Sequence, residues 1–243
     1  MLRELKADFH IHTCLSPCAE LEMSPHAIIR QAKIKELDII GICDHNSAEN
    51  VSALKQAADD CEICLLPGME VTSIEEVHIL ALFDEIESAL QLQEIVYANL
   101  PGENDEDTFG MQVIVNVHGE VLSFNKKLLI GASNLTVDET VHTIHSLNGL
   151  AIAAHIDRES FSLISQLGFV PEELELDALE ISPLTSHNNA LKKYNPRLPL
   201  TSSSDAHNLK DIGKTYTTLY LEKGTVSEIK KAFLQKEERR IIH

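Results

Sequence analysis

Short apolar segments alternate with helical patterns along most of this 243-residue chain. Strands are predicted at residues 5–9, 39–43, 61–66, 77–83, 150–154, 178–181, 198–203 and 215–221. Two of the intervening helices have clear start signals, namely Ser24-Pro25 and the capping box that runs from Thr136 to Glu139. Strands that alternate with helices indicate parallel βα units. About seven such units in a chain of this length favour an α/β barrel over a small open sheet.

The length permits one large domain or two small ones. We predict a single domain over residues 1–243, with residues 100–135 as a candidate insertion. The acidic stretch 102–107 lacks a regular pattern and is expected to be a loop, and residues 112–124 are expected to form a strand pair.

Metal-ligating side chains recur at the ends of the predicted strands. They comprise His10 and His12, His45, Glu70, His155, and Asp205 with His207. In a βα barrel the chemistry lies at the carboxyl ends of the strands, so these residues are expected to converge there. His78 is the exception, because it lies near the start of a predicted strand.

The accumulation of these residues favours metal binding over a structural role. His10-x-His12 alone is a weak signal, since two satisfied histidines beside a loop would look the same. Residues 201–207, however, make a poor core segment and a poor exposed helix. Histidine and carboxylate are the usual ligands of zinc and iron.

Four segments, taken in order, resemble the motifs of the PHP (polymerase and histidinol phosphatase) superfamily. They are Asp8-Phe9-His10-Ile11-His12, Cys43-Asp44-His45-Asn46, Ala154-His155 and Ser204-Asp205-Ala206-His207. Glu70 and His78 resemble a further glutamate and histidine of that family. The match extends from residue 8 to about residue 215 and leaves residues 102–135 unassigned.

The resemblance implies a distorted (β/α)7 barrel, TIM-barrel-like, that holds two or three divalent ions (Zn, Fe or Mn). The first ion would take His10, His12, Glu70 and Asp205. The second would share Glu70 and add His78 and His155. The third would take His45, His207 and Cys18. The family often has His or Asp at the position of Cys18, and a thiolate disfavours magnesium.

The function implied is that of a stand-alone phosphoesterase in which metal-activated water attacks phosphorus, without a side-chain nucleophile. The expected substrate is a small phosphorylated metabolite, a nucleotide or a short oligonucleotide end. An amidohydrolase-type metal hydrolase is the nearest alternative, although its bridging lysine has no obvious counterpart here. A non-catalytic metal-binding PHP module is the other, although this chain retains every ligand position.

The charge constrains the partners. Twenty basic and 38 acidic residues give a formal charge of −18, which argues against long nucleic acid. No apolar segment is long enough to span a membrane, and no secretory signal is recognisable, so a cytoplasmic location is expected. The five cysteines are expected to be free, and Cys61-x-x-Cys64 is interpreted as a chance pair.

Two residues are candidates for substrate binding. Arg158 suits a phosphate clamp, with a surface ion pair to Asp157 or Glu159 as the alternative. His187 follows a predicted strand and is expected to face the site. The remaining histidines, together with Cys14, are assigned to surface or packing positions: His26, His118, His142, His145 and His243.

Overall fold

Most strands belong to two five-stranded sheets. The computed structural model describes residues 1–59 and 61–242. Within them the strands are β1 (Arg3–Ile11), β2 (Ile39–Ile42), β3 (Cys64–Leu66), β4 (Gly68–Thr72), β5 (His78–Leu82), β6 (Val113–Val115), β7 (Val121–Phe124), β8 (Leu150–Ala153), β9 (Ala178–Ile181), β10 (Leu200–Ser202), β11 (Thr217–Leu221) and β12 (Arg240–Ile242). All eight predicted strands are present.

The helices lie mainly between consecutive strands. They are α1 (Pro25–Ile34), α2 (Val51–Ala58), α3 (Ile86–Asn99), α4 (Glu106–Phe109), α5 (Val137–Ser146), α6 (Leu163–Leu167), α7 (His187–Tyr194) and α8 (Val226–Phe233). The predicted capping box is confirmed at α5, where Thr136 and Glu139 cap each other's backbone. No helix in the described ranges is long and apolar enough to cross a membrane.

The sheets combine parallel and antiparallel pairs, so the α/β class is confirmed but uniformly parallel pairing is wrong. The first sheet has the order β12-β11-β1-β2-β3 and the second β10-β9-β8-β5-β4. Strand β5 runs antiparallel to both of its neighbours, β4 and β8. The hydrogen-bonded ladders of the described residues do not close into a barrel. Two isolated parallel bridges, Ile11–Ala206 and His45–Glu70, connect the two sheets.

Strand β4 was missed from the sequence because Pro67-Gly68 resembles a turn. The chain in fact passes from β3 in one sheet to β4 in the other across Pro67. A Cβ on Gly68 would collide with the carbonyl oxygen of Ala81 on β5, so this close strand approach requires glycine. Glu70 consequently lies inside a strand instead of following one.

Five strands are buried along their whole length, namely β2, β4, β5, β8 and β9. The two faces of β5 contribute to different apolar clusters. On β5, Leu80 and Leu82 join a cluster that also holds Phe9 of β1. Their neighbours Ile79 and Ala81 join a second cluster that includes residues of α1, α2, α3 and α5. Burial on both faces explains why these strands appear in the sequence as nearly continuous apolar segments.

The candidate insertion forms a unit of its own beside these sheets. Strands β6 and β7 pair as an antiparallel hairpin, as expected for residues 112–124. The expected acidic loop contains a short helix, α4, capped by Asp105. Asn46 holds the unit to the β2 end of the first sheet by donating its side-chain amide to the carbonyl oxygens of Leu129 and Gly131, both at 2.8 Å.

Candidate metal centre

The predicted ligands other than Cys18 come from six strands or from the loops that follow them, and the structure brings most of them together at one edge. His10 and His12 lie at the end of β1, His45 follows β2, and His155 follows β8. His78 is the first residue of β5. Because β5 runs opposite to its neighbours, its start lies beside the ends of the parallel strands, which explains the exception noted in the sequence.

A local irregularity in β1 orients its histidines. The register between β1 and β2 shifts between Asp8 and Ile11. Within this irregular segment Phe9 belongs to the cluster shared with β5, whereas Ile11, where regular pairing resumes, belongs to the cluster beneath the helices. Bulges of this kind redirect side chains next to functional sites. Here His10 and His12 both approach the carboxylate of Asp205.

Glu70 is the centre of the arrangement and is fully buried. Its Oε1 lies 2.8 Å from His78 Nδ1, 3.2 Å from His155 Nε2 and 3.4 Å from His10 Nε2. Its Oε2 lies 2.9 Å from His45 Nδ1. Burial alone would raise the pKa of Glu70, but His78, His10 and His45 hold it well below its usual value. The carboxylate is therefore ionised and has both oxygens available to bridge cations.

Asp205 provides the second buried carboxylate of the site. Its Oδ1 lies 3.1 Å from His12 Nε2 and 3.3 Å from His10 Nε2. Its Oδ2 receives Arg158 Nη1 at 2.7 Å. Burial opposes the ionisation of Asp205, yet His10 and His12 hold its pKa well below the usual range.

The nitrogen atoms around Glu70 are placed for a cation better than for hydrogen bonds. Nδ1 of His45 and Nδ1 of His78 are each less than 3 Å from a Glu70 oxygen, but neither makes a hydrogen bond and both are buried. The Nε2 atoms of His10 and His12 face each other at 3.1 Å. Buried lone pairs that converge in this way fit a divalent metal, for which imidazole and carboxylate are common ligands.

Three overlapping groups have ligand atoms close enough to hold an ion. They are His10 with His12 and Asp205, His45 with Glu70 and His78, and His12 with His45 and His207. The groups resemble the three predicted ligand sets but divide the residues differently, because His45 joins Glu70 and His12 joins His207. The assignment of individual ligands stays a prediction.

Cys18 lies beside the third group. The residue as a whole is exposed, and the imidazoles of His207 and His45 act on its thiol. Burial of the thiol opposes its ionisation, but these two histidines outweigh that effect and lower its pKa to about 6. In turn Glu70 and Cys18 overcome burial and raise the pKa of His45 to about 10. The thiol is thus readily ionised at neutral pH, as a metal ligand must be.

Glu180 was missed in the sequence analysis. It belongs to β9, is 1% exposed, and accepts a hydrogen bond from His10 Nδ1 at 2.9 Å. The same oxygen accepts from the backbone N–H of His155 at 3.3 Å. This bond directs the lone pair of His10 Nε2 towards the centre. The only sequence signal was a single charged residue within an otherwise apolar strand.

His12 is oriented by a similar relay. Its Nδ1 is 2.9 Å from Ser16 Oγ, which donates to Asp44 Oδ1 at 2.7 Å. Asp44 is fully buried and also accepts two bonds of 2.7 Å from Thr13. The aspartate next to His45 in the sequence therefore supports His12 instead of facing the centre itself.

The loops that hold the site are conformationally unusual. His155 and Asp205 have φ angles of 30° and 49°, in the left-handed region that non-glycine residues seldom adopt. Asp8 supports the segment around Asp205, since its carboxylate accepts from the backbone N–H groups of Ser204 and Gly213, both at 2.9 Å. Burial raises the pKa of Asp8 to about 6.

Of the two predicted substrate-binding residues, Arg158 contacts a proposed metal ligand and His187 begins a helix. Arg158 is paired with Asp205 at the rim of the centre and stays partly exposed, so it does not form the alternative surface pair with Asp157. Asp157 instead accepts from the backbone and side chain of Ser182. His187 is the first residue of α7, in the segment that follows β9.

Three of the histidines assigned to surface or packing positions have neighbours that the structure identifies, namely His145, His26 and His118. His145 pairs with Asp177 at 2.9 Å, and the rings of His26 and His118 lie 6.1 Å apart. His142 lies on α5, while His243 lies outside the described residues. Cys14 is buried in a small apolar cluster, as expected, and the five cysteines are free.

Comparison with known proteins supports the fold. No family model matches the chain. An uncharacterised protein of Bacillus subtilis, YqxK, is 24% identical over 264 residues, which cover 99% of this chain and 65% of YqxK. The lesion-specific endonuclease Q of Pyrococcus furiosus matches 98% of this chain and 58% of its own with a TM-score of 0.72 and 21% identity. The chain thus spans less than two thirds of either protein.

Further solved structures share the fold. Endonuclease Q has been crystallised with a 27-mer duplex substrate that carries an abasic lesion at the active site. A two-domain protein of Bacteroides vulgatus that contains a predicted PHP-like metal-dependent phosphoesterase has a TM-score of 0.59 at 15% identity, over 99% of this chain and 65% of its own. An amidohydrolase of Chromobacterium violaceum has a TM-score of 0.56 at 17% identity, over 85% of this chain and 89% of its own. At 15–21% sequence identity, these likenesses show that the chain shares the fold of these structures.

Proposed function

We propose that this chain is a metal-dependent phosphoesterase of the PHP type. The observation that carries the proposal is the buried carboxylate of Glu70, which has nitrogen atoms of four histidines within 3.4 Å and a second ionised carboxylate, Asp205, beside them. Divalent ions bound at such a centre would hold phosphate oxygens and lower the pKa of a bound water molecule.

Different residues of the chain would bind each of the three ions. Glu70 would bridge two ions, and His10, His12 and Asp205 would hold one of them, with His78 and His155 on the other. His45, His207 and Cys18 would hold a third. This donor set is better suited to zinc, iron or manganese than to magnesium. Glu180 and Ser16 would keep the imidazoles of His10 and His12 in the orientation for binding.

Residues at the rim of the metal centre would bind the substrate. Arg158 would release Asp205 to the ion and direct its guanidinium at a phosphate oxygen, for which its planar fork is suited. His187 would approach the substrate from the segment after β9.

We also propose that the fold is a distorted (β/α)7 barrel made by one domain over residues 1–243. Strands β1, β2, β4, β5, β8, β9 and β10 follow each other through the two sheets and the two bridges that connect them. In this interpretation the bridges complete the ring at the end where the metal ligands lie, and residues 100–135 form an insertion outside it.

The substrate would be a phosphorylated metabolite or nucleotide in the cytoplasm. The complex of endonuclease Q with duplex DNA means that the expected exclusion of long nucleic acid lacks support. A DNA phosphodiester therefore belongs among the candidate substrates, although the formal charge of −18 favours small molecules.

An amidohydrolase is the second candidate, since one solved neighbour bears that name. Two observations favour the phosphoesterase. The cation that contacts the ligand set here is Arg158, not a lysine, and a guanidinium suits phosphate. In addition, His207, which lies close to His12 and His45, and the neighbouring Cys18 would extend the set of metal ligands beyond the two groups around Glu70 and Asp205.

Hydrolysis assays with several substrates would test the proposal. The substrates are bis(p-nitrophenyl) phosphate, p-nitrophenyl phosphate, a cyclic amide and a duplex with an abasic site, each with Mn²⁺, Zn²⁺ or Fe²⁺. We expect metal-stimulated phosphoester hydrolysis that Asp205→Asn abolishes. The control variant Asp138→Asn, at the exposed start of α5, should keep full activity. Turnover of the amide alone would contradict the proposal.

A further inference from the structure

Phe161 lies at the rim of the metal centre, in the segment that connects β8 to α6. Its ring stacks on the imidazole of His78, with centroids 4.8 Å apart and planes inclined by 22°. Its carbonyl oxygen accepts the backbone N–H of His78 at 3.0 Å. The residue is nevertheless 38% exposed. The ring is thus fixed against His78, a candidate metal ligand, while it stays accessible from solvent.

The backbone at Phe161 is unfavourable for such a residue. Its φ is 55°, in the left-handed region, where a bulky aromatic residue is a genuine outlier. Strain of this kind persists where surrounding contacts over-determine the conformation, and it clusters at functional sites. Because the ring is only partly buried, filling of the core does not account for it.

The same segment supplies a cation. Arg158, three residues earlier, reaches Asp205 Oδ2 and has a side chain that is 37% exposed. Ser162 fixes the spacing, because its hydroxyl donates to the carbonyl oxygen of Arg158 at 2.8 Å and its backbone is tied to Ser165 in a capping box. A guanidinium and an aromatic ring are thereby held on one short loop beside the metal ligands.

We propose that Phe161 is a specificity-determining residue that stacks on the base of a nucleotide substrate. The inference rests on the proposed function, since it seats the phosphate between Arg158 and the metal centre. A nucleobase is the aromatic group that most commonly accompanies a phosphoester. Stacking on an aromatic side chain tolerates any base, so the expected preference is for nucleotides over sugar phosphates and not for one base.

The test compares adenosine 5′-monophosphate with ribose 5-phosphate, which differ only in the base. Dissociation constants are measured by calorimetry on the Mn²⁺-loaded protein with the phosphonate analogues of both compounds, which it cannot hydrolyse, and hydrolysis of the phosphates is followed separately by phosphate release. Phe161→Leu removes the ring and Phe161→Tyr keeps it. Phe169→Leu is the matched control, because Phe169 is 62% exposed and lines a cavity formed by other residues.

We expect the wild type to bind the nucleotide more tightly than the sugar phosphate. Phe161→Leu should weaken nucleotide binding about ten-fold, the effect of one lost base–aromatic stack, and should leave ribose 5-phosphate within two-fold. Phe161→Tyr and Phe169→Leu should behave as the wild type. The unchanged sugar phosphate also reports that the variant is folded.

The outcomes separate the two proposals. Equal binding of both compounds by the wild type, or a base preference that survives Phe161→Leu, would overturn the stacking role even if phosphoesters are hydrolysed. If no phosphoester is hydrolysed but the base preference depends on the Phe161 ring, the stacking role stands and the phosphoesterase proposal falls.

Discussion

Replacement of Glu180 by glutamine should weaken metal binding without removing any proposed ligand. The carboxylate of Glu180 holds His10 Nδ1 at 2.9 Å and the backbone N–H of His155 at 3.3 Å. Glutamine has the same shape and can present an oxygen to both donors, so the change isolates the charge. The proposed ligands themselves stay in place.

The magnitude follows from the hydrogen bond that changes. A bond to a charged group contributes about 1.5–3 kcal/mol and a neutral one about 0.5–1.5 kcal/mol. The difference of about 1–1.5 kcal/mol corresponds to roughly ten-fold in affinity. Losses of about 10- to 100-fold are typical when the group that orients a metal-binding histidine is changed. We therefore expect an affinity about ten-fold weaker for the ion held by His10.

The affinity is measured by competition with a chromophoric chelator for Zn²⁺ and Mn²⁺, using wild type, Glu180→Gln and Glu172→Gln. Glu172 is the matched control, because its exposed carboxylate pairs with Arg197 at the surface. Thermal unfolding without metal confirms that each variant is folded. Metal affinity within two-fold of wild type in folded Glu180→Gln would refute the proposed orienting role of this carboxylate.

Two further results are expected. Because the pKa of Cys18 is lowered to about 6 and the thiolate is the reactive form, alkylation of the metal-free protein by iodoacetamide should accelerate as pH rises through about 6. Cys18→Ser should remove the component with a midpoint near 6 and leave any alkylation of the partly exposed Cys61 and Cys64 unchanged, while burial raises the pKa of Cys14 to about 12. A single midpoint near 9 in the wild type would contradict the account. Thr136→Ala should lower the free energy of unfolding by about 1 kcal/mol through loss of the α5 cap, measured by urea denaturation. Thr143→Ala, later on the same helix, is its control, and equal losses in both variants would argue against capping.

Much of the site was predictable because its residues are local signals. His10 and His12, His45, His155 and Asp205 each follow an apolar strand, so their types and positions are visible without knowing how the strands pair. The capping box at Thr136 is visible for the same reason, since it depends on a spacing of three residues along one helix.

What could not be predicted depends on strand direction and on long-range packing. His78 looked misplaced because the antiparallel orientation of β5 is a property of the sheet and not of its sequence. β4 was hidden because Pro67-Gly68 signals a turn as readily as a passage between sheets. Glu180 could be recognised only when His10, 170 residues away, was placed beside it.

The most direct test of the central claim is elemental analysis of the purified protein together with phosphodiester hydrolysis, for wild type and Glu70→Gln. Glu70 is shared by two of the three predicted metal sets, and its two oxygens face four histidines. We predict at least two transition-metal ions per wild-type chain, and a parallel loss of bound metal and activity in Glu70→Gln. A wild-type protein that binds no transition metal and is not stimulated by one, or a Glu70→Gln variant that keeps both metal and activity, would contradict the account.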